Sequence, residues 1–351
     1  MYSKEFLSQK AMLVLDMLRN GSEGDANRGH LHMENWEWPT GVALYGIWKT
    51  HERMDEKETL DYLISWYDRW LPKSETIHRN VNTVCPMLAL ANLYARTRNE
   101  TYLQHIVNWA EWVMNVMPRT EFGGLQHITV WNKHYQQLWA DTLFMTCLFL
   151  LKAGQVLDRR DMIEEAKYQF LIHAKYLQEQ RSGLLTHGWT FDLRHSFAGA
   201  HWARGNSWFT AASAEMLSQF NDHNDASLRM IRSCLQDQIQ ALWKLQRESG
   251  LFTTLLDVEE VYEETSATAA IAYGVLRSVR LGYVSESYCE MGMKAAEAVI
   301  NKIAPDGTVM GVSSGTGMGH DLDFYKKIKQ VPTAYGQGLT FLMLTELSLI
   351  G

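Results

Sequence analysis

The chain has 351 residues, 46% of them hydrophobic and 21% charged, which is enough for a soluble globular protein to bury a sizeable core. A formal charge of −7 excludes the basic footprint that nucleic acid or an anionic membrane surface requires, so neither is expected as a partner. No apolar run reaches the roughly 18 residues of a membrane span. Met1–Phe6 carries neither a basic n-region nor an apolar h-region, so a cytoplasmic protein is expected.

Along the chain, apolar residues recur at i, i+3, i+4 and i+7, the helical period, and β-alternation is nearly absent. Phe6, Leu13 and Met17, with Leu7, Ala11, Val14 and Leu18 alongside, open the first predicted helix, 3–18. Further helices are predicted at 38–53, 56–70, 84–97, 100–116, 137–153, 160–178, 204–219, 225–247, 266–281, 286–302 and 333–349. Pro39, Pro86 and Pro332 fall at predicted starts, where a missing N–H costs little, and Pro72, Pro118 and Pro305 follow predicted ends.

The connections alternate in length. Short ones fall near Arg53–Asp55, Arg98–Asn99, Gly154–Arg159, Asn221–Asn224 and Gly282–Ser285; the others are long and hold most of the Gly, Trp and His residues. This rhythm predicts an all-α protein, six helical hairpins around an axis in an (α/α)6 barrel, with an open solenoid or bundle as the alternative. No linker interrupts the series, so a single domain over 1–351 is expected. The long connections then gather at one end, where inner-helix N-termini suit an anionic ligand. Cys85, Cys147, Cys234 and Cys289 are far apart and read as reduced thiols.

The chemistry-bearing residues follow the same order. Glu34, Trp36, Glu37 and Trp38 lead into the second helix. At the sixth, Gln137-Leu-Trp139-Ala-Asp141-Thr places Asp141 in an early turn among Trp139, Leu143 and Phe144. Its aromatic surroundings favour the neutral acid, while the helix dipole favours the anion. It reads as a general acid or as a helix-stabilising aspartate. His127 follows Gly123-Gly124 and His187 precedes Gly188-Trp189, a context for ligand contact. His201-Trp202-Ala-Arg204-Gly-Asn206-Ser-Trp208 opens the eighth helix. There Arg204 reads as a clamp on a carboxylate or on sugar hydroxyls, or as an internal ion pair with a loop acid such as Asp192. Trp202 and Trp208 can stack on sugars or pack the core. His187, His195 and His201 match no metal-ligand frame, and no metal or cofactor is expected. Glu264-Thr-Ser266-Ala-Thr268-Ala reads as a helix cap. The oligomeric state, homo-oligomer included, stays open.

Taken together, Glu37-Trp38-Pro-Thr-Gly41, Gly123-Gly124…His127, Gln137-Leu-Trp139-Ala-Asp141-Thr, His187-Gly-Trp189, Trp202-Ala-Arg204-Gly-Asn206-Ser-Trp208 and Glu264-Thr-Ser266-Ala-Thr268-Ala resemble glycoside hydrolase family 105, the unsaturated rhamnogalacturonyl hydrolases, over most of the chain. The resemblance implies an (α/α)6 barrel acting on pectin-derived oligosaccharides that end in a 4,5-unsaturated galacturonyl residue linked to rhamnose. An aspartic acid would protonate the vinyl ether, water would add at carbon 5, and the hemiketal would open to release the neighbouring sugar. Carried over, Asp141 is the acid/base, and Trp38, His127, Gln137, Trp139, His187, Trp202, Arg204 and Trp208 form the sugar site. One departure stands out. Where the family often has a second aspartate, this chain reads His78-Arg-Asn80-Val-Asn82-Thr, so Asn82, or less readily Asn80, takes the position of an acid. Three alternatives are weighed beside hydration. One is an inverting glycosidase with Glu37 or Glu264 about 6.5–9.5 Å from Asp141. The second is a sugar epimerase using His127 and His187. The third is a non-catalytic carbohydrate-binding relative.

Overall fold

The computed structural model describes residues 2–20, 31–54, 56–222 and 224–350. Met1 and Gly351, at the ends of the expected domain, and Asp55 and His223, within two short connections, lie outside the described residues. Thirteen α-helices are described: α1 Lys4–Asn20, α2 Trp38–Met54, α3 Lys57–Trp70, α4 Val81–Thr97, α5 Glu100–Asn115, α6 Leu148–Val156, α7 Arg160–Leu177, α8 Ala203–Ser218, α9 Ala226–Leu245, α10 Thr265–Arg280, α11 Cys289–Ile300, α12 Leu322–Lys326 and α13 Ala334–Leu347. None is long and apolar enough to cross a membrane.

The inner ring runs α2, α4, α6, α8, α10, α13, each packed on the next, and α13 closes against α2. Around it α1 rests on α13, α3 on α2, α5 on α4, α7 on α6, α9 on α8 and α11 on α10. The fold is therefore an (α/α)6 barrel, and the closure excludes an open solenoid. The two rings differ in what they bury. The outer α3 buries only Thr59, Leu63, Trp66 and Tyr67, one stripe of an amphipathic helix, whereas every residue of α13 is buried. Closure relies on two glycines: a Cβ on Gly46 would lie 2.3 Å from the Gly338 carbonyl oxygen. At the closed end, the buried charges Lys49, Glu215, Arg277 and Glu346 tie α2, α8, α10 and α13 together as ion pairs.

Three local expectations need correction. Gln137–Trp139 is a strand, β1, rather than the start of a helix; it pairs antiparallel with β2, Gly188–Thr190, with Trp139 opposite Gly188. Helical turns begin only at Asp141 and pass through a π-helical turn, Leu143–Cys147, into α6. Pro86 lies inside α4, because the Asn80 capping box starts that helix earlier, at Val81. Pro86 consequently offers no N–H to the Asn82 carbonyl one turn before it. The short α12, in the long connection after α11, has no counterpart among the predicted helices. A second small sheet pairs β3, Phe252–Thr253, with β4, Glu263–Glu264.

Candidate active site

The N-termini of the inner helices open onto a cavity of about 460 Å³. It is lined by Trp38, Asn82, His127, Gln137, Trp139, Asp141, Trp202 and Arg204, with Thr129, Trp131, Asn132, His134, Met145, Phe197 and the segment Gly315–Met318 with His320. Among the described residues, Asp141 is the one carboxyl group in that lining.

Asp141 owes its surroundings to the β1–β2 pair. Ala140 N–H donates to the His187 carbonyl (3.0 Å), which brings the residue after β1 beside the residue before β2. His187 Nε2 then lies 3.3 Å from Asp141 Oδ2, and each of these buried atoms lacks a hydrogen bond of good geometry. Glycine is needed at 188 for this approach: a Cβ there would meet the Leu138 carbonyl oxygen at 2.7 Å and Met318 Cε at 2.4 Å. Asn206 secures the same segment from α8. Its side chain accepts from Leu185 N–H and donates to the Leu185 carbonyl, both at 2.8 Å.

Burial pushes the Asp141 carboxyl toward its acid form, but the His187 imidazole beside it outweighs that, and its pKa falls below the usual aspartate value. The aromatic surroundings alone would have suggested the opposite. His127 is stacked on Trp139 (centroids 4.1 Å apart, planes 7°), and its Nδ1 meets Thr142 Oγ1 at 2.9 Å. Burial is the largest influence on it and lowers its pKa to about 3, so this ring is neutral.

Arg204 is 1% exposed and already occupied. Nη1 donates to the Ser313 carbonyl (3.0 Å) and to Ser313 Oγ; Nη2 donates to the Ser314 carbonyl (2.8 Å) and Thr316 Oγ1 (2.9 Å). The guanidinium is sandwiched between Trp202 and Tyr335, 4.6 and 5.0 Å from their centroids. Its acidic neighbour is Glu264, at 3.8 Å, rather than Asp192. It therefore anchors the glycine-rich segment 313–319 instead of reaching out as a free clamp. Within that segment, the N–H groups of Gly315, Thr316, Gly317 and Met318 donate no hydrogen bond among the described residues.

Two residues expected in the sugar site do not line the cavity. Trp208 is fully buried, packed against Phe144 and edge-on to Trp38, because it sits one helical turn deeper than Arg204. His187 is 2% exposed and lies behind Asp141. The two asparagines separate cleanly: Asn80 is the buried cap of α4, and Asn82 faces the cavity. Glu37 and Glu264 are absent from the lining. Glu264 is 0% exposed and accepts from Ser266 N–H and Oγ–H, Ala267 N–H and Ser313 N–H. His201 belongs to a different groove, where its Nδ1 meets Asp257 at 2.8 Å. Residues the motifs did not reveal are Trp131 at the rim, 93% exposed, and Tyr325, fully buried behind His187. The run Ser313-Ser-Gly-Thr-Gly-Met-Gly-His320 in a long connection was the available signal for the segment that carries Tyr325.

A family model described as Glycosyl Hydrolase Family 88 matches residues 19–349. The chain is similar to Unsaturated rhamnogalacturonyl hydrolase YesR of Bacillus subtilis (strain 168), 34% identical over 316 residues, or 89% of each chain. It is also similar to the crystal structure of a possible member of the GH105 family from Salmonella enterica serovar Paratyphi A, with TM-score 0.95 and 40% identity over 100% of this chain and 95% of that one. A possible GH105 member from Klebsiella pneumoniae gives TM-score 0.93 and 38% identity over 98% and 93%.

Proposed function

Because the chain belongs to Glycosyl Hydrolase Family 88 and its family 105 kin, and is thereby a glycoside hydrolase, we propose that it removes a terminal 4,5-unsaturated galacturonyl residue from rhamnogalacturonan-derived oligosaccharides by hydrating the double bond. The observation that carries this reading is the single carboxyl group in the cavity among the described residues. An inverting displacement needs two carboxyls flanking the bond, whereas hydration needs one acid. Glu37 and Glu264, the alternatives for a second, are outside the lining, and Glu264 is spent on capping α10. The epimerase alternative is disfavoured too, since His127 is held neutral and His187 is covered.

In this reading the substrate carboxylate sits against the unbonded amides of Gly315–Met318, which the Arg204 guanidinium holds in place and makes electropositive. The added negative charge raises the pKa of Asp141 into its working range. Protonated Asp141 gives its proton to carbon 4 of the vinyl ether. Water adds at carbon 5, and its released proton returns to Asp141. The hemiketal then opens: carbon 5 becomes a ketone, the ring oxygen leaves as a hydroxyl on carbon 1, and the resulting hemiacetal expels the neighbouring sugar. Asn82 orients the water or a sugar hydroxyl, since an amide can donate and accept hydrogen bonds but is no base. The four unbridged cysteines, three of them buried, accord with a reducing, cytoplasmic setting.

The test is a panel of lyase-generated disaccharides, unsaturated galacturonyl-rhamnose against unsaturated glucuronyl-hexosamine, followed by the ultraviolet absorbance of the conjugated acid. Selective loss of absorbance with the rhamnose-linked substrate is expected. Persistence of absorbance across the panel rejects the reading.

A further inference from the structure

Behind Asp141 the buried polar groups form a line that the hydration step does not itself require. Tyr325, in α12, is 0% exposed. Its hydroxyl accepts a hydrogen bond from Gly319 N–H at 3.1 Å. The same hydroxyl lies 2.8 Å from His187 Nδ1 and 3.8 Å from Met318 Sδ. With one lone pair taken by an amide, the hydroxyl can give its hydrogen to Met318 Sδ or to Nδ1, and Nδ1 is much the better acceptor when the imidazole carries its hydrogen on Nε2, where Asp141 Oδ2 attracts it. Burial, partly countered by the Gly319 N–H, and the nearby Asp141 charge raise the phenol's pKa well above its ordinary value, so it keeps its proton.

We propose that Tyr325 is a positioning residue for the reaction: by donating to His187 Nδ1 it fixes the imidazole tautomer whose Nε2–H faces Asp141. The inference rests on the hydrolase reading above for its kinetic consequence, but not for its geometry. A neutral imidazole that accepts at Nδ1 must carry its hydrogen on Nε2. That hydrogen lies against Asp141 Oδ2, 3.3 Å from Nε2, the buried carboxylate oxygen with no other partner. The N–H dipole then stabilises the carboxylate left after proton transfer to carbon 4 and draws back when Asp141 is reprotonated. The fold also gains a connection: Tyr325 ties the Gly315–Gly319 segment to the residue behind the acid, so the part that holds the substrate carboxylate and the part that sets the acid share one hydroxyl.

The other titratable groups around the pair are His127, neutral and across Trp139, His134 beside it, His173 of α7 behind His127, and Arg204 across the cavity, paired with Glu264. None lies between His187 and Tyr325.

The experiment compares wild type, Tyr325→Phe, His187→Gln and the double variant on an unsaturated uronyl disaccharide, with full pH profiles. Tyr325→Phe removes one hydroxyl and should lower kcat by about tenfold with little change in KM, an effect of the size expected when an acid is misoriented. With Nε2–H no longer assured, the Asp141 carboxylate loses stabilisation and its pKa rises, so the limb of the profile that follows the acid form should move to higher pH. In the His187→Gln background the same change should have no further effect, because the tyrosine acts through the histidine. A merely structural tyrosine would give additive losses, a raised KM and an unmoved profile, and that outcome overturns the proposal. A second readout needs neither activity nor a variant that folds. The ¹⁵N shifts of His187 in the wild-type protein, assigned through its own backbone resonances, should report hydrogen on Nε2 and a bare Nδ1; the reverse tautomer overturns it. Wild-type inactivity on every unsaturated uronide would reject the hydrolase reading alone, and the ¹⁵N shifts would still decide the tautomer.

Discussion

The helical turns that lead into α6 and the first turn of α8 are entered by the same pattern, tryptophan, alanine, charged residue, yet the two charges have different surroundings. Asp141 follows Trp139 and keeps a buried carboxylate oxygen that has no hydrogen-bond partner among the described residues and lies 3.3 Å from an imidazole nitrogen. Arg204 follows Trp202 and has all four Nη hydrogens committed to the segment 313–316. A buried polar atom without a partner is costly, and proteins keep such atoms where a ligand or a reaction completes them. Both ends keep one orphan atom, Asp141 Oδ2 and Arg204 Nε, but the four Nη bonds of Arg204 are spent on holding a segment of the chain, so the carboxyl is the end left for chemistry and the guanidinium is scaffold. The helix start alone, similar in both, does not distinguish them.

That contrast can be broken or sharpened by substitution. The largest effect is expected at Asp141: Asp141→Asn should lower kcat by about 10³-fold, the scale of a lost general acid, with the melting temperature nearly unchanged. In the wild type the lowered Asp141 pKa means the acid form grows scarcer as pH rises. The rate should therefore peak on the acid side of neutrality and decline above it, as a pH–rate profile would show. Arg204→Met comes next and should act on stability as well as activity. Removing a buried guanidinium strands the Ser313 and Ser314 carbonyls and Glu264, at a cost of about 3 kcal/mol measurable by urea unfolding. Loss of activity with full stability would contradict the scaffold role. Two tryptophans extend the comparison to interior against rim. Trp208→Phe should cost about 1–2 kcal/mol and leave KM alone, because the ring packs the core. Trp131→Ala should raise KM about fivefold, the loss of one exposed stacking surface, and leave the melting temperature alone. The smallest effect is expected at Asn80→Ala, about 1 kcal/mol of stability through the lost cap and no change in pH profile. Asn82→Ala should instead reduce activity without destabilising the fold.

Much of the barrel was readable from periodicity because each outer helix buries one stripe and connection lengths alternate with the rings. The short pairing of β1 with β2 was not readable, since three residues give too little alternation to outweigh an adjoining helical pattern. Pro86 misled for a related reason: proline is most at home in a first turn, and here the capping residue Asn80, six residues earlier, sets the helix start instead. At the site, Asp141 and Arg204 stood out as charges among tryptophans, but their division of labour depends on residues distant in sequence. Nothing near Arg204 announces Ser313, and nothing near His187 announces Tyr325. Trp208 followed Arg204 in one motif, yet a full helical turn moves it from the mouth into the core.

The most direct test of the central claim, that one carboxyl hydrates an unsaturated uronide, pairs two disaccharides identical except for the 4,5 double bond. Release of the neighbouring sugar is measured for wild type and Asp141→Asn. The account predicts that wild type cleaves the unsaturated disaccharide, leaves the saturated one intact, and loses the first activity with Asp141. Cleavage of the saturated disaccharide at a comparable rate, or a fully active Asp141→Asn, would contradict it.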